Sequence, residues 1–378
     1  MMFSDAQKAY IETAKKFAEN EMLPYANKWD EEKIFPLKAL QKAAELGFAG
    51  IYVPEKFGGS GLSRLDAALI FEELSAACAS TAAFLSIHNM ATWMIAQYGN
   101  DSIHSRFLKR LIDMKYVASY CLTEPDSGSD AVSLSTRAER QGDYYILNGS
   151  KSFISGASES DIYLTMVRTG EKGHKGISCM IIEKNSEGLS FGKLERKMGW
   201  NSQPTAQIIF QKCKVPVSNL VGKEGDGFKI AMQGLDGGRI NIGSCSIGAA
   251  RKCIEKSITY VSERKQFGRK ISEFQATQFK LADMLVELEA ARLMIHNAAN
   301  ELDNKSKKST LYCAMAKRFA TDIGFRICNE ALQLHGGYGY LSEYDIERFV
   351  RDCRVHQILE GTNEIMRVII SRIMLEDR

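Results

Sequence analysis

The sequence predicts a mainly α-helical protein with a β-domain inserted in its middle. Apolar residues recur with the helical period from about residue 4 to 112. The period changes to two between about residues 116 and 221, and the helical period then returns almost to the end. A chain of 378 residues, 45% of them hydrophobic, is long enough for two or three domains. We therefore expect an N-terminal helical domain (residues 1–115), a middle β-barrel or sandwich (116–221) and a C-terminal four-helix bundle (222–378).

Capping signals mark the helices of the first segment. Ser4 with Gln7, and Ser63 with Asp66, have the spacing of capping boxes. Gly47 and Gly99 follow periodic segments and are expected to end helices as C′ glycines. The Gly-rich stretch VPEKFGGSGLS lacks the spacing of a phosphate loop, so we interpret it as a structural loop.

The middle segment has the pattern of β-hairpins. Two short strands are expected on either side of Gln141, Gly142 and Asp143, followed by a second turn at Asn148 and Gly149 and a third strand. Further segments with period two continue to about residue 221, at the spacing of a sandwich or barrel.

Four long helices are expected in the last segment, which makes a bundle the economical arrangement. A capping box of Ser272 and Gln275 predicts a helix to about residue 303, and another helix follows the polar connection 304–309 as far as about Leu334. Ser342 with Asp345 predicts the start of the next helix.

Glu360 lies at a predicted joint between two helices. Gly361 interrupts the apolar period and Thr362 is a good N-cap for the final helix. If Ile358 and Leu359 bury the carboxyl group, its pKa rises towards the range of a base active near pH 7. The alternative is an exposed glutamate at a helix end, which is the more common situation for this pattern taken alone.

Composition excludes several classes of protein. The net charge is only +3 and the charges are mixed, so no nucleic-acid partner is expected. Nine cysteines without metal-site spacing suggest reduced thiols and no metal, and His335 and His356 are interpreted as structural. The chain shows neither a signal-peptide pattern nor an apolar run of 18 residues. We therefore expect no membrane association and a cytoplasmic protein, or the mature form of an organellar matrix protein.

Three segments resemble the signature segments of acyl-CoA dehydrogenases: SYCLTEPDSGSD (119–130), LHGGYGYL (334–341) and VRDCRVHQILEGTNEIMR (350–367). The resemblance covers roughly residues 3–375. It implies the acyl-CoA dehydrogenase fold and FAD-dependent α,β-dehydrogenation of an acyl-CoA. In such a reaction Glu360 takes the α proton, the β hydrogen leaves as hydride to flavin N5, and an electron-transfer flavoprotein reoxidises the cofactor. The family also implies a homotetramer built as a dimer of dimers.

The resemblance further implies a short or branched acyl chain. Isobutyryl-CoA, oxidised to methacrylyl-CoA in fatty acid or branched-chain amino acid catabolism, is the expected substrate. Butyryl-CoA and 2-methylbutyryl-CoA are the next alternatives. An acyl-CoA oxidase and a non-catalytic flavin-binding relative are other classes that remain open.

By the same resemblance, one group of residues would bind FAD, part of it across a subunit boundary. This group consists of Tyr120, Cys121, Leu122, Thr123, Gly128, Ser129, Phe153, Ile154, Ser155, Arg264, Gln266, Gln275, Gln333, Leu334, His335, Gly336, Gly337, Thr362, Asn363 and Glu364. The substrate would contact Ser129, Asp236, Gly237, Gly238, Arg239 and Gly361.

Two positions depart from the family pattern. Asp126 replaces a more usual glycine, and its carboxylate would weaken the binding of an anionic cofactor unless it points to solvent. Phe153 replaces a common tryptophan, so it can stack on a ring but offers no indole N–H. In the isovaleryl and long-chain branches the base is a glutamate at the position of Gly238, which assigns the base here to Glu360. The alternative for the glycines around 237 is close helix packing without a ligand.

Overall fold

In the computed structural model, which describes residues 3–376, an N-terminal group of helices precedes the sheet. These helices are α1 (Asp5–Phe17), α2 (Ala26–Glu31), α3 (Leu37–Glu45), α4 (Arg64–Ala77), α5 (Ala79–Tyr98), α6 (Asp101–Ile103) and α7 (Lys109–Ile112). The capping boxes at Ser4 and Ser63 are confirmed. Gly47 adopts the left-handed conformation expected of a C′ glycine, with φ of 80°. Gly99 differs, because it ends α5 with an extended backbone at φ −67°.

The middle of the chain forms one eight-stranded sheet. Its strands are β1 (Ala118–Cys121), β2 (Arg137–Gln141), β3 (Tyr144–Ser155), β4 (Ile162–Arg168), β5 (Ile177–Glu183), β6 (Leu189–Phe191), β7 (Thr205–Pro216) and β8 (Leu220–Val221). Their order is β6-β7-β3-β2-β4-β5-β8, with β1 paired to β4 in parallel. The hairpin at residues 141–143 joins β2 and β3 as predicted.

The predicted turn at Asn148 and Gly149 is wrong. Both residues lie inside the continuous strand β3, where the register with β7 shifts between Leu147 and Gly149. The Asn148 side chain accepts a hydrogen bond from the N–H of Lys212 on β7, at 2.9 Å. A β-bulge uses the same residue types as a tight turn, because both need a backbone with positive φ, which is 140° at Gly149.

Three long helices and two shorter ones form the C-terminal part. They are α8 (Gly227–Glu263), α9 (Gln275–Asp303), α10 (Ser309–His335), α11 (Ile346–Arg354) and α12 (Asn363–Glu376), with a small hairpin of β9 (Lys265–Gln266) and β10 (Arg269–Lys270) after α8. The ends near 303 and 334 agree with the sequence prediction. The two capping boxes predicted from Ser272 and from Ser342 are wrong. Phe274 is the N-cap residue of α9 and Asp345, which has a left-handed backbone, is that of α11, and neither side chain caps its helix.

Helix α8 connects the parts of the molecule. It packs against α4, α5, α9 and α10, and buried residues of α4, α8, α9, α10 and α11 share one core. Residues of α5, β4, β5 and α8 share another core, which joins the sheet to the helices. We propose the three-domain division given above. None of the described helices is long and apolar enough to cross a membrane.

Candidate active site

The joint that carries Glu360 is a strained turn between α11 and α12. Glu360 and Gly361 are both left-handed, with φ of 58° and 86°. A left-handed conformation costs a residue other than glycine about 1–3 kcal/mol, and such strain concentrates at functional sites. Thr362 accepts a hydrogen bond from the N–H of Ile365 at 3.2 Å and so caps α12 as predicted.

Two cations from different helices hold the backbone of this joint. The Arg239 Nε of α8 donates to the carbonyl oxygen of Glu360 at 3.2 Å. The Lys317 Nζ of α10 donates to the carbonyl oxygen of Gly361 and to Asn363 Oδ1, each at 2.8 Å. The carboxyl group of Glu360 therefore starts from a backbone that is fixed from two sides.

The carboxyl group of Glu360 lies directly against α8. A Cβ atom added at Gly238 would be 2.4 Å from Glu360 Oε2, so a residue with a side chain at 238 would displace the carboxyl group. The neighbouring Gly237 similarly makes room for Arg64, whose Nη1 would be 2.4 Å from an added Cβ. Both glycines thus serve close approach, and at Gly238 the approaching group is the candidate base.

The environment of Glu360 favours a base active near neutral pH. Part of the residue is accessible, but Oε2 is buried and has no hydrogen-bond partner among the described residues. Burial raises the pKa of Glu360 to about 7, while Arg239 and Lys317 act in the opposite direction. Two other polar atoms are also buried without a partner among the described residues: Tyr120 Oη, whose pKa is raised in part by Glu360, and Asn241 Oδ1 on α8. These atoms suit a ligand that supplies the missing partners.

Asp236 and Arg239 form an ion pair within α8. Arg239 Nη1 is 2.8 Å from Asp236 Oδ1, and Thr310 donates to Asp236 Oδ2 at 2.7 Å. Both carboxylate oxygens of Asp236 are therefore engaged within the chain, and the pair orients Arg239 towards Glu360.

A buried ion pair supports the loop that follows β1. Lys151 Nζ donates to Glu124 Oε1 at 2.7 Å and to the carbonyl oxygen of Leu122 at 3.0 Å. Glu124 also accepts hydrogen bonds from Ser135 and from the Thr136 N–H. Burial opposes its ionisation, but Lys151 and these donors hold the pKa of Glu124 at about 2. The same burial lowers the pKa of Lys151, and we take the pair as ionised because Glu124 accepts three further N–H or O–H bonds.

The Lys151–Glu124 pair holds the loop of residues 122–130 in place. The Ser152 N–H also donates a hydrogen bond to the carbonyl oxygen of Thr123 in this loop. Asp126, Gly128 and Ser129 are exposed, so the carboxylate of Asp126 points to solvent. Phe153 lies at a second register shift of β3, with φ of 58°, and is 68% exposed. An exposed aromatic ring held by a bulge beside this loop is suited to stacking on a flat ligand.

Several predicted cofactor contacts are occupied elsewhere. The side chains of Cys121 and Ile154 pack in the core of the sheet, because neighbouring strand residues face opposite sides, so only their backbone is free for a ligand. The side-chain amide nitrogen of Asn363 already donates hydrogen bonds to Thr321 and Asp322. Glu364 is exposed and lies 3.5 Å from Arg367.

A second candidate site is an open groove at the end of α10. It encloses a cavity of about 390 Å³ lined by Tyr260, Arg264, Gln266, Ile271, Gln333, Leu334, His335, Gly336, Gly337, Tyr338 and Leu341. Gln275, also predicted to contact the cofactor, is not part of this lining. Nor are Glu360 or the residues of 120–155, so the structure divides the predicted cofactor residues between two places on the chain.

The groove has the chemistry of an anion site. It offers a guanidinium group, two amide side chains and the glycine turn after α10, where a Cβ added at Gly336 or Gly337 would meet nothing within 4 Å. His335 is buried, bonded through Nδ1 to the Ala331 carbonyl oxygen at 2.8 Å and stacked on Tyr260, so its role is structural. The described residues contain no group of three or more His, Cys, Asp or Glu side chains that could hold a metal ion.

Sequence reasoning missed Lys317, Tyr52 and Arg64. Lys317 does carry a signal, because it falls on the apolar face of α10 that also contains Cys313 and Ala320. The guanidinium of Arg64 lies over the ring of Tyr52, at 3.6 Å from its centroid, and the Tyr52 hydroxyl accepts a hydrogen bond from Asn241. No local pattern indicates contacts between such distant segments.

Comparisons with known proteins agree along the whole chain. Models of the acyl-CoA dehydrogenase N-terminal, middle and C-terminal domains match residues 4–115, 119–213 and 225–375. The chain is 56% identical over 375 residues to the mitochondrial isobutyryl-CoA dehydrogenase of Dictyostelium discoideum, and the aligned region covers 99% of this chain and 90% of that protein. It is 54% identical to the protein of the same name from Bos taurus, with 100% of this chain and 91% of that protein covered.

Solved structures give the same result. Butyryl-CoA dehydrogenase from Megasphaera elsdenii superposes with a TM-score of 0.96 at 36% identity, over 99% of both chains. A chain from a structure described as the electron transferring flavoprotein of Acidaminococcus fermentans superposes with a TM-score of 0.97 at 41% identity, over 100% of both chains.

Proposed function

Because this chain belongs to the acyl-CoA dehydrogenase family, we propose that it oxidises a short branched acyl-CoA, isobutyryl-CoA, to its 2,3-enoyl thioester with Glu360 as the base. The observation that carries this proposal is the Glu360 carboxyl group itself. It is buried against Gly238, its Oε2 lacks a partner among the described residues, and its pKa is raised to about 7. A carboxylate with these properties can take a proton from a carbon acid near neutral pH.

The residues present fit FAD. Phe153 and the supported loop at 122–130 suit a flat ring, and the groove at the end of α10 suits a pyrophosphate. When bound, FAD supplies the acceptor for the β hydrogen and its electron pair.

The chain's own residues perform the proton transfer. The bond from the α carbon to its hydrogen breaks, the proton goes to Glu360 Oε2, and the electron pair forms the new double bond as hydride leaves the β carbon. Arg239 and Lys317 bind backbone carbonyls, not the carboxylate, so the lone pairs of Oε2 stay available. Removing this proton in water is strongly unfavourable, so exclusion of water around Oε2 is part of the function.

Preference for a short acyl group is supported by the side chains that surround the joint. Trp200, Ile242 and Ala83 form a small buried cluster, and Ile87, Val355 and Leu359 pack against it. Leu359 precedes the base, and Ile242 lies one helical turn after Gly238. We infer that this cluster limits the space available beside Glu360, which would favour a small acyl group over a long one.

We expect a higher kcat/KM for isobutyryl-CoA than for octanoyl-CoA. Since a hydrophobic pocket discriminates by only about 1–3 kcal/mol per methylene, butyryl-CoA and 2-methylbutyryl-CoA should keep measurable activity. The measurement is anaerobic reduction of the flavin by a panel of acyl-CoAs, followed by its absorbance. If octanoyl-CoA is the better substrate, the assignment to isobutyryl-CoA is wrong, whereas a flavin that no acyl-CoA reduces would indicate a non-catalytic relative.

We further propose a homotetramer in which one subunit completes the FAD site of another. The lining of the groove includes neither Glu360 nor residues 120–155, which supports this arrangement. Exposed apolar side chains on the β9–β10 hairpin and α9 also support it, notably Phe267 at 93% and Phe279 at 59% exposure.

The oligomer and the cofactor should therefore be lost together. We expect about one FAD per subunit in a tetramer, and Arg264→Met should lower the FAD content because it removes the guanidinium from the groove. Light scattering combined with flavin absorbance tests both. A monomer that carries a full complement of FAD would contradict this proposal.

Electron-transfer flavoprotein is the proposed reoxidant, supported by the similarity to the chain from Acidaminococcus fermentans. We place the reaction in the cytoplasm or, as for the relatives named mitochondrial, in an organellar matrix. The nine cysteines are free and buried, which fits a reducing compartment. Rapid reoxidation of the substrate-reduced enzyme by electron-transfer flavoprotein, and not by O₂, separates a dehydrogenase from an oxidase.

A further inference from the structure

Lys317 is a buried lysine, and the unfavourable free energy of burying its ammonium group must be offset by the groups that surround it. Its side chain is fully buried on the apolar face of α10 and forms no salt bridge with a carboxylate among the described residues. Transfer of an ammonium group to such a position is strongly unfavourable unless polar groups bind it. The two groups that bind it, Gly361 O and Asn363 Oδ1, flank the end of the joint that carries Glu360.

The acceptors of Lys317 are themselves fixed. Asn363 donates to Thr321 Oγ1 at 2.9 Å and to Asp322 Oδ1 at 2.7 Å, both on α10. The ammonium group thus binds a peptide carbonyl that cannot turn away without breaking this network. Arg239 holds the preceding carbonyl from α8, so the two left-handed residues are clamped between two helices.

We propose that Lys317 is a positioning residue for the proton abstraction by Glu360. Its ammonium group holds the carbonyl of Gly361, which fixes the direction of the Glu360 carboxyl group, and its positive charge favours the ionised form of that carboxyl group. This inference rests on the proposed function, since it concerns the same base. Lys317 is not a catalytic residue, because its contacts are with the chain and not with the reacting atoms.

The charges around the joint give the direction of the expected effect. Arg239 and Lys317 both oppose the rise in the pKa of Glu360, and they are the charged groups of residues 3–376 that act on it. Burial lowers the pKa of Lys317, and Arg239 acts in the same direction, whereas the attraction of Glu360, Asp322 and Glu364 opposes this fall. We assign the protonated form because Nζ donates to both Gly361 O and Asn363 Oδ1. His356, which faces Lys317, is kept neutral because burial lowers its pKa. The ionised Glu360 and the protonated Lys317 therefore stabilise each other, and loss of the lysine raises the pKa of Glu360.

The test is the pH dependence of flavin reduction in Lys317→Met. Because Glu360 acts in its ionised form, the rate in the wild-type protein should rise with pH through about 7. In Lys317→Met the midpoint should move upward by about one pH unit, since the charge of Lys317 lowers the pKa of Glu360 and the loss of one charge beside a partly buried group has an effect on this scale. Lys317→Arg keeps the charge and should keep the midpoint near that of the wild type.

Arg326→Met is the matched control. This variant also removes a cation from α10, but Arg326 is half-exposed and pairs with Glu287 of α9. The midpoint of the pH dependence in Arg326→Met should therefore stay at the wild-type value. Lys317→Gln is a second neutral variant in case the methionine does not fold. An unchanged midpoint in either folded neutral variant overturns the proposal. Failure of both to fold overturns it as well, because the role would then be structural. If no acyl-CoA reduces the wild-type flavin, it is the proposed function that fails.

Discussion

Glu360→Gln should retain the fold and the FAD content but lose α-proton abstraction. The substitution keeps the size and polarity of the side chain and removes its basicity. Loss of a general base typically lowers the rate by about 10²- to 10⁴-fold. Since the three atoms nearest to an added Cβ at Gly238 all belong to the Glu360 carboxyl group, we expect an effect at or beyond the upper end. The measurement is anaerobic flavin reduction by isobutyryl-CoA, after the flavin content has been checked.

Glu364→Gln is the matched control for this experiment. Glu364 lies one helical turn further, in the first turn of α12, where it is exposed and near Arg367. Glu364 is exposed to solvent and, unlike Glu360, is not among the atoms nearest to Gly238, so it lacks the desolvated position of the proposed base. Much of the turnover should survive this substitution. Near-normal bleaching of the flavin in Glu360→Gln would show that the base has been assigned to the wrong residue.

The joint at Glu360 could be predicted because its signals are local. A glycine followed by a threonine with the spacing of an N-cap ends one helix and starts another, and the structure has this arrangement at Gly361 and Thr362. What the pattern could not provide is the burial of the carboxyl group. That burial depends on Gly238, which is distant in sequence, and only the family resemblance favoured the catalytic interpretation beforehand.

The sequence-based predictions of turns and caps were wrong where the same residue types fit two different local structures. Asn148 and Gly149 fit a tight turn and a β-bulge equally well, and the long partner strand β7 decides between them. Likewise, Ser272 and Ser342 have capping-box spacing, yet the helices begin after Phe274 and Asp345. The choice between these caps depends on neighbouring segments that a short window does not contain.

The contacts of Arg239 and Lys317 with the Glu360 joint could not be predicted from the sequence for a related reason. Arg239 and Lys317 act on the joint through single backbone carbonyls, and a backbone acceptor carries no sequence signal. A lysine on an apolar helix face is the one local indication, and it identifies an unusual residue without identifying its partner.

The Lys151 and Glu124 pair leads to the second large expected effect, on stability and on cofactor binding. Lys151→Met leaves the Glu124 carboxylate buried without its counter-ion, and removing one partner of a buried pair typically costs about 3–5 kcal/mol. The lost hydrogen bond to Leu122 also frees the loop at 122–130, so FAD should bind more weakly. Urea unfolding and titration of the apoprotein with FAD measure the two effects.

Two further variants make that experiment decisive. Arg137→Met removes a cation from an exposed ion pair on the neighbouring strand β2, and should change the free energy of unfolding by less than about 1 kcal/mol. The double variant Lys151→Met, Glu124→Leu replaces the pair with apolar side chains and should recover much of the stability, because no buried charge then lacks a partner. It should not recover FAD affinity, since the hydrogen bonds of Glu124 to Ser135 and Thr136 and of Lys151 to Leu122 are still absent. If Lys151→Met loses no more stability than Arg137→Met, the pair does not support the loop in the way its geometry indicates.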